Sequence, residues 1–440
     1  MTKARAAINR STHNRLWSGL ALLVSLALVL ATAAAVNSAT VVSPIPRVGI
    51  VCTADTATTN PVFDLTTRTG YIKLPDANTA FMWGYSNGSD PFQHPGPVMC
   101  VKQGDTVTVI LHNTLPEATS IAFPGQQSVL ANGVPAQPQF SGTTLASLTD
   151  TAAANGGTVT YSFVASQPGT YLYESGTNPE KQVRMGLFGA LIVRPSVGGA
   201  DHAYNRADSR FTPSEEFMVL LSEIDPYQHQ AVEQNKTFNM NNYHPRYWLI
   251  NGRGFPDSIA DNGASWLPSQ PYGALANVSA YDPSGHPYPG LARYLNVGTE
   301  DYPFHPHGNN GLVIGRDGRP LESSTGQDLS FEKFAINIGP SQTWDVLFKW
   351  YDAENYSPTN PVPVTVPSLA NQEIGTFYSG SPYLGTKETL PPGIQTLNQC
   401  GEYYIISHNH ALFQITSWGA NMTGPITYMR INPPLPNTCP

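Results

Sequence analysis

The stretch Gly104-Asp-Thr-Val-Thr-Val-Ile-Leu111 alternates polar and apolar side chains. Successive side chains of a β-strand point to opposite faces of a sheet, so this pattern predicts a strand with one buried face. Similar patterns recur on both sides of it, and no long helical period interrupts them. The further predicted strands are residues 158–164, 169–173, 190–193, 217–224, 247–250, 292–297, 312–314, 334–338, 344–350 and 402–406.

The composition agrees with an all-β protein. Charged residues make up 12% of the 440 residues, about half the roughly 25% of typical soluble proteins. The 38 glycines and 39 prolines are spread along the whole chain, and 40% of the residues are hydrophobic. Such a chain has few long surface helices but enough apolar residues for a core, so wholesale disorder is excluded.

The length allows two or three domains at roughly 150 residues each. A small-residue stretch at 196–200 is a natural linker. We therefore predict two all-β sandwich or barrel domains, at residues 40–197 and 198–440. Prolines between residues 351 and 399 exclude a regular central strand over most of this stretch and predict a long surface excursion within the second domain. They include Pro358, Pro361, Pro363, Pro367, Pro391 and Pro392.

The first 39 residues have the pattern of a secretory signal. Four basic residues precede an apolar run from Leu20 to Val36, with a suitable cleavage site after Ala35. The alternative is an uncleaved membrane anchor, which would be the protein's only membrane contact. Either reading places the body outside the cytoplasm, secreted, periplasmic or at the cell surface. Without the four basic residues the net charge moves from −8 to −12, which disfavours nucleic acid as a partner.

Four cysteines are present at Cys52, Cys100, Cys400 and Cys439. No C-x-x-C pair occurs among them, and in an oxidising compartment disulfides are expected rather than metal ligation. Four cysteines allow three pairings. A bridge that joins the beginning of the body to its end is an attractive expectation.

Four of the eleven histidines form two H-x-H pairs, His305 with His307 and His408 with His410. Residues i and i+2 of a strand share a face, so each pair can present two imidazoles to one side. Neutral imidazole is a common ligand of copper, zinc, iron and nickel. The alternative is a metal-free polar pocket held by hydrogen bonds. The isolated histidines are expected to have ordinary structural roles: His94, His112, His229 and His244.

Several ordered motifs resemble the multicopper oxidases. Gly96-Pro-Val-Met-Cys-Val-Lys-Gln-Gly-Asp105 and Asn113-Thr-Leu-Pro-Glu-Ala-Thr-Ser120 are similar to the opening of their first cupredoxin domain. Gly169-Thr-Tyr-Leu-Tyr173 is similar to its close, and Asn296-Val-Gly-Thr-Glu-Asp-Tyr-Pro-Phe-His-Pro-His-Gly308 to a later domain. The resemblance implies two cupredoxin-like Greek-key β-barrel or sandwich domains and copper as the cofactor.

The chain departs from the family at half of the ligand positions of the three-copper cluster. The resemblance implies four paired-histidine motifs, two from each terminal domain. The two first-domain motifs fall at Ala122-Phe-Pro-Gly125 and Glu174-Ser-Gly176. Both last-domain pairs remain, so the expected metal ligands are His305, His307, His408 and His410.

The residues of the type 1 copper site are also replaced. The resemblance places its first histidine at Tyr302, its cysteine at Asn409 and its second histidine at Gln414, with the axial position near Gly419. A carboxamide cannot supply the thiolate of a blue-copper centre. Reduction of dioxygen by the family mechanism is therefore not expected.

The resemblance therefore implies an extracytoplasmic copper-binding protein whose metal site keeps only these four histidine ligands. One reading gives this site an oxidoreductase activity. If Glu174 faces the same cavity, zinc, iron or manganese would also suit the ligands; the other reading of Glu174 is a solvated loop residue. The alternative function is a non-catalytic structural or binding protein of the cell envelope on the same scaffold. The resemblance also suggests an assembly of identical subunits, whereas the sequence indicates no substrate.

Overall fold

A computed structural model describes residues 46–53, 59–307, 310–351, 359, 362–365, 395–398, 403–419 and 422–432. The predicted signal segment, Cys400 and Cys439 lie outside these residues, as does most of the Pro-rich excursion. Among the described residues, no helix has the length and hydropathy needed to cross a membrane.

Strands before residue 195 form the first group of sheets. In chain order they are β1 (Val62–Lys73), β2 (Thr79–Asn87), β3 (Met99–Lys102), β4 (Thr106–Asn113), β5 (Leu130–Ala131), β6 (Val134–Pro135), β7 (Gln139–Ser141), β8 (Thr144–Ser147), β9 (Gly157–Val164), β10 (Gly169–Glu174) and β11 (Phe188–Arg194). One sheet has the order β2-β1-β4-β9-β5-β6 and a second the order β10-β11-β3, while β7 pairs with β8. The predicted strand at residues 104–111 is β4, which begins and ends two residues later than predicted.

Strands after residue 215 form the second group. They are β12 (Glu216–Ile224), β13 (Tyr247–Ile250), β14 (Ala276–Ser279), β15 (Gly290–Asn296), β16 (Tyr302–Pro306), β17 (Gly311–Arg316), β18 (Arg319–Pro320), β19 (Phe331–Lys333), β20 (Ile336–Ile338), β21 (Thr343–Phe348), β22 (Val362–Thr365), β23 (Gln395–Asn398), β24 (Tyr403–Asn409) and β25 (Ile426–Asn432). One sheet has the order β13-β12-β15-β21-β17-β18, with β19 beside β17, and the other the order β14-β25-β24-β16-β20. Within the predicted excursion, β22 and β23 pair with each other.

Helices in the described part of the chain are short. They are α1 (Pro179–Gln182), α2 (Pro226–Glu233) and α3 (Leu412–Ile415), with 3₁₀ turns at Ala207–Ser209, Pro213–Glu215, Met240–Asn242 and Asp257–Ile259. Asp225 caps α2 by accepting hydrogen bonds from the backbone amides of Tyr227 and Gln228. The predicted all-β fold is confirmed, and Pro46–Pro440 forms one compact unit.

Each group of sheets encloses its own apolar core. Val107, Val109 and Leu111 of β4 are fully buried in the first core, as their alternation predicts. Tyr302 and Phe304 of β16 are fully buried in the second. The predicted division between residues 197 and 198 falls between the two groups of strands and stays a prediction.

An apolar layer joins the two groups of sheets. It combines side chains from before residue 195, such as Val98 and Phe188, with Met218 and Leu295 from after residue 215. A buried ionic network crosses the same boundary: Glu216 contacts Arg194 at 2.5 Å and Arg293 at 2.6 Å. Arg293 has no exposed surface and also contacts Asp345 at 3.3 Å. The carboxylates of Glu216 and Asp345 together compensate its buried charge.

The prediction that the cysteines form a disulfide is confirmed, but the preferred pairing is wrong. Cys52 bonds to Cys100, 48 residues away, rather than to the end of the chain. The segment that carries Cys52 lies along β3, where the Thr53 amide donates to the Val98 carbonyl at 2.8 Å. This backbone pairing brings Cys52 beside Cys100.

Candidate metal centre

The two histidine pairs lie on neighbouring strands. β16 and β24 are antiparallel, and their register places His305 opposite His408. The pairing continues past the strand ends, since the His307 amide donates to the Ile406 carbonyl and the His410 amide to the Pro303 carbonyl. Residues that face each other across an antiparallel pair project from the same side of the sheet. The alternation that buries Tyr302 and Phe304 in the core therefore turns the four imidazoles to the opposite face.

The four rings form one cluster. The ring centre of His305 lies 4.7 Å from that of His307, 5.8 Å from that of His408 and 5.7 Å from that of His410. The ring centre of His408 lies 5.0 Å from that of His307 and 5.4 Å from that of His410. Nε2 of His307 is 2.9 Å from Nε2 of His408. The structure thus brings together all four histidines that the sequence singled out.

Backbone carbonyls orient two of the rings. Nδ1 of His305 lies 2.8 Å from the carbonyl oxygen of Phe334, and Nδ1 of His408 lies 2.7 Å from that of Asn409. A carbonyl oxygen only accepts, so each Nδ1 carries the proton and donates it. The lone pair then lies on Nε2, the tautomer found in histidines that bind metals through Nε2.

The cluster favours neutral imidazoles. His408 is 8% exposed, and burial, followed by the nearby His307, His305 and His410, lowers its pKa to about 4. Burial and the neighbouring His305 and His410 also lower the pKa of His307. Neutral rings at neutral pH offer lone pairs without first losing a proton.

The donor set of the cluster fits a nitrogen-binding transition metal. The 2.9 Å between the two Nε2 atoms is within the span of two ligands whose bonds to one ion are about 2.0–2.1 Å each. As they stand, no three or more His, Cys, Asp or Glu side chains in the described residues surround one ion position. The two Nε2 atoms are hydrogen-bonded to each other in this structure. A bound metal would replace this hydrogen bond between His307 and His408, and the other two rings would have to turn to join it.

The two first-domain positions lie beside each other in the fold. The Ala122 amide donates to the Glu174 carbonyl at 2.7 Å, and the Glu174 amide donates to the Ala122 carbonyl at 3.1 Å. Glu174 ends β10 and is partly buried, and burial raises the pKa of its carboxyl group to about 7. The expectation of a solvated loop residue is wrong. In the described structure, no hydrogen bond or ion pair joins Glu174 to the four histidines.

The positions aligned with type 1 copper ligands hold a buried polar network. Asn409 donates a hydrogen bond to the Gln414 side chain, and Gln414 Nε2 donates to Glu300 Oε2 at 2.6 Å. Tyr302 donates to Glu223 Oε2 at 2.6 Å. Burial raises the pKa of Glu223 despite its bonds to Tyr302 and Thr299. The three replacements thus meet in one place and bind protein groups.

Sequence reasoning missed Glu223, Glu300 and Trp248 in this network. Trp248 Nε1 donates to Glu300 Oε2 at 2.9 Å, and Thr299 donates to Glu223 through both its amide and its hydroxyl group. The only local signal is the acidic pair Glu300-Asp301 just before β16.

The isolated histidines lie elsewhere. His94 and His229 are each 1% exposed, and burial lowers the pKa of His94 to about 3 and that of His229 to about 4. His229 contacts the Phe81 carbonyl at 2.6 Å, and His112 contacts Asp64 at 3.0 Å.

Comparison with known proteins relates part of the chain to a known family. Residues 68–197 match the family model described as multicopper oxidase. This segment is similar to a multicopper oxidase domain. The predicted resemblance is confirmed, and copper is the cofactor that the family implies.

Curated relatives of this chain include an ascorbate oxidase and a copper resistance protein. The chain is 33% identical to L-ascorbate oxidase of Cucumis sativus over 172 residues, which cover 39% of this chain and 25% of the relative. It is 29% identical to copper resistance protein A of Escherichia coli over 195 residues, which cover 42% of this chain and 28% of the relative. The chain thus spans about a quarter of the length of these relatives.

Solved structures support the fold beyond residues 68–197. The multicopper oxidase mgLAC matches with a TM-score of 0.55 and 19% identity, over 84% of this chain and 85% of that one. The blue copper oxidase of Nitrosomonas europaea matches with a TM-score of 0.53 and 18% identity, over 84% and 85% of the two chains. These matches confirm the cupredoxin-like fold class.

Proposed function

We propose that this protein binds copper outside the cytoplasm through His305, His307, His408 and His410, without a type 1 copper site. The observation that carries the proposal is the pair of facing Nε2 atoms of His307 and His408, 2.9 Å apart. The similarity of residues 68–197 to multicopper oxidases supports copper over the other metals that accept imidazole.

The surrounding residues prepare the imidazoles for this role. The Phe334 and Asn409 carbonyls hold the Nδ1 protons of His305 and His408 and fix the orientation of both rings. His410 is exposed, whereas His408 is buried, so the site is anchored on one side and open on the other. A bound copper ion would supply one-electron redox chemistry there. Any oxidoreductase activity is part of the proposal, and its substrate must reach the cluster from the open side.

A second candidate is a non-catalytic structural or binding protein of the cell envelope. The network at the type 1 positions favours it, because Asn409, Gln414 and Tyr302 are committed to hydrogen bonds and provide no route for electron entry. In this reading the histidine cluster stores or delivers a metal, or remains a polar pocket.

The extracytoplasmic location rests on the signal pattern of residues 1–39 and on the Cys52–Cys100 disulfide. Disulfides persist mainly in oxidising compartments. We retain the homo-oligomer and the boundary at residues 197/198 as parts of the proposal.

Metal analysis of the purified protein tests the proposal. We expect stoichiometric copper after loading and dialysis, lost when all four histidines are changed to alanine. A control variant changes three at least partly exposed histidines outside the cluster, His112, His202 and His244, to alanine and should keep the metal. An unmodified protein with no bound metal would overturn the copper-binding proposal. Copper binding without turnover of phenolic or metal-ion substrates would favour the second candidate.

A further inference from the structure

A small polar cavity lies within the apolar layer that joins the two groups of sheets. Its volume is about 10 Å³, and its lining includes His94 and Arg184 from before residue 195 and Ser222 and Glu223 from β12. Met82, Phe188, Ile224 and Val297 from the surrounding apolar clusters complete much of its wall. The cavity is therefore an isolated polar spot between mostly hydrophobic surfaces.

Three lining groups have no hydrogen-bond partner. Nε2 of His94, Oγ of Ser222 and Nε of Arg184 are all buried without one. His94 is 1% and Ser222 is 4% exposed, so bulk water does not reach them. Buried polar groups are almost always hydrogen-bonded to protein or to ordered water. Three unpartnered groups around one cavity therefore point to a missing partner inside it.

Two glycines keep the walls of the cavity in place. A Cβ atom at Gly298 would lie 1.9 Å from Glu223 Oε2, and one at Gly186 would lie 2.8 Å from His94 Nδ1. Gly186 also has a backbone φ angle of +116°, which residues other than glycine rarely adopt. The backbone thus leaves the room that the imidazole and the carboxylate need.

We infer that this cavity holds a single water molecule that bridges His94, Arg184 and Ser222 and so joins the two groups of sheets. The volume suits one water, which needs at least roughly 10–15 Å³ on this measure, and buried waters typically make about three hydrogen bonds. Arg184 Nε donates, Ser222 can donate or accept, and Nε2 of a neutral imidazole presents either a proton or a lone pair. Water complements every combination of these groups.

An anion is the main competitor, because Arg184 supplies a positive charge. Glu223 lines the same cavity, and both of its carboxylate oxygens already accept hydrogen bonds from Tyr302 and Thr299. A buried anion beside this carboxylate would be repelled. The lining therefore favours a neutral occupant.

A crystal structure of the full-length protein, with a second crystal soaked in sodium bromide, tests the inference. We expect one solvent peak within hydrogen-bond distance of His94 Nε2, Ser222 Oγ and Arg184 Nε, and no anomalous bromide peak there. An empty cavity, or a bromide peak in it, would overturn the inference.

A pair of variants gives an independent measurement. Ser86 is another fully buried serine without a partner, but it does not line the cavity. Ser222→Ala should lower the Tm by about 2–4 °C, because the water loses one of its three partners, whereas Ser86→Ala should leave the Tm unchanged. Equal Tm values for the two variants would contradict a bound water at Ser222.

Discussion

Nε2 of His307 faces Nε2 of His408 across an antiparallel strand pair, at 2.9 Å. The facing atoms belong to residues 101 positions apart in the sequence, so this contact exists only in the folded protein. His408 is fixed by its neighbouring Asn409 carbonyl. His307 follows the end of β16, and its amide bond to Ile406 holds it beside β24.

This contact makes His408 the histidine whose loss should weaken copper binding most. His408 is buried and held through Nδ1, whereas His410 is exposed. We expect His408→Ala to lower copper affinity by at least about 10-fold and His410→Ala to lower it less. Competition titration with a chelator measures both, with His112→Ala as the control. Equal affinities of the His408→Ala and control proteins would contradict this assignment.

The network at the type 1 positions predicts an absent spectroscopic signal. Copper-loaded protein should lack the intense visible band of a copper–thiolate site, because Asn409 replaces the cysteine. Asn409→Cys alone should not restore the band, since Tyr302 and Gln414 remain bound to Glu223 and Glu300. Absorption and electron paramagnetic resonance spectra of both proteins check this. A blue band in either protein would show that a type 1 site can form.

The same network should contribute to stability. Asn409 has no exposed surface, and its side chain donates to Gln414. Asn409→Ala leaves a buried acceptor without a partner, so we expect the free energy of unfolding to fall by about 1–3 kcal/mol. Asn78→Ala, at an exposed asparagine, is the control for urea unfolding. Identical unfolding midpoints for the two variants would show that the network is dispensable.

The sequence predicts the strands and each histidine pair because both depend on local periodicity. Alternation at β4 and the i, i+2 spacing within each H-x-H motif need no knowledge of distant residues. The meeting of the two pairs depends on the fold, since the facing His307 and His408 lie 101 residues apart. The partners of Tyr302 and Gln414 could not be predicted in this way. They are Glu223 and Glu300, 79 and 114 residues away, and only the packed sheets bring them together. Similarly, cysteine spacing could not choose among three pairings.

Buried ion pairing predicts the acid sensitivity of the boundary between the two groups of sheets. Burial alone would raise the pKa of Glu216, but Arg194 and Arg293 outweigh it and lower the pKa to about 2. The unfolded chain, with an ordinary glutamate pKa near 4.5, therefore takes up this proton first as the pH falls. Stability of up to about 3 kcal/mol is present above pH 4.5 and is lost progressively toward pH 2.

Urea unfolding at several pH values measures this loss. Glu216→Gln removes the titrating group, so its stability should fall less steeply between pH 4.5 and pH 2. The variant should also be less stable at pH 7, because it leaves the buried Arg293 with less compensation. Parallel pH profiles for the two proteins would assign the acid sensitivity to other carboxylates.

The segment of residues 46–53 connects both groups of sheets. At one end Cys52 is bonded to Cys100 on β3. At the other end the Asn262 side chain donates to the Pro46 and Gly49 carbonyls, at 2.9 and 3.0 Å.

Cys52→Ser reopens a loop of 48 residues, so we expect the free energy of unfolding to fall by about 2–4 kcal/mol. Reduction of the unmodified protein should give the same loss. Asn262→Ala should cost only about 1–2 kcal/mol, because it removes the two hydrogen bonds to this segment and the one from the Gly273 amide but leaves the covalent link intact. If Cys52→Ser unfolds at the same urea concentration as the unmodified protein, the segment does not stabilise the joined sheets.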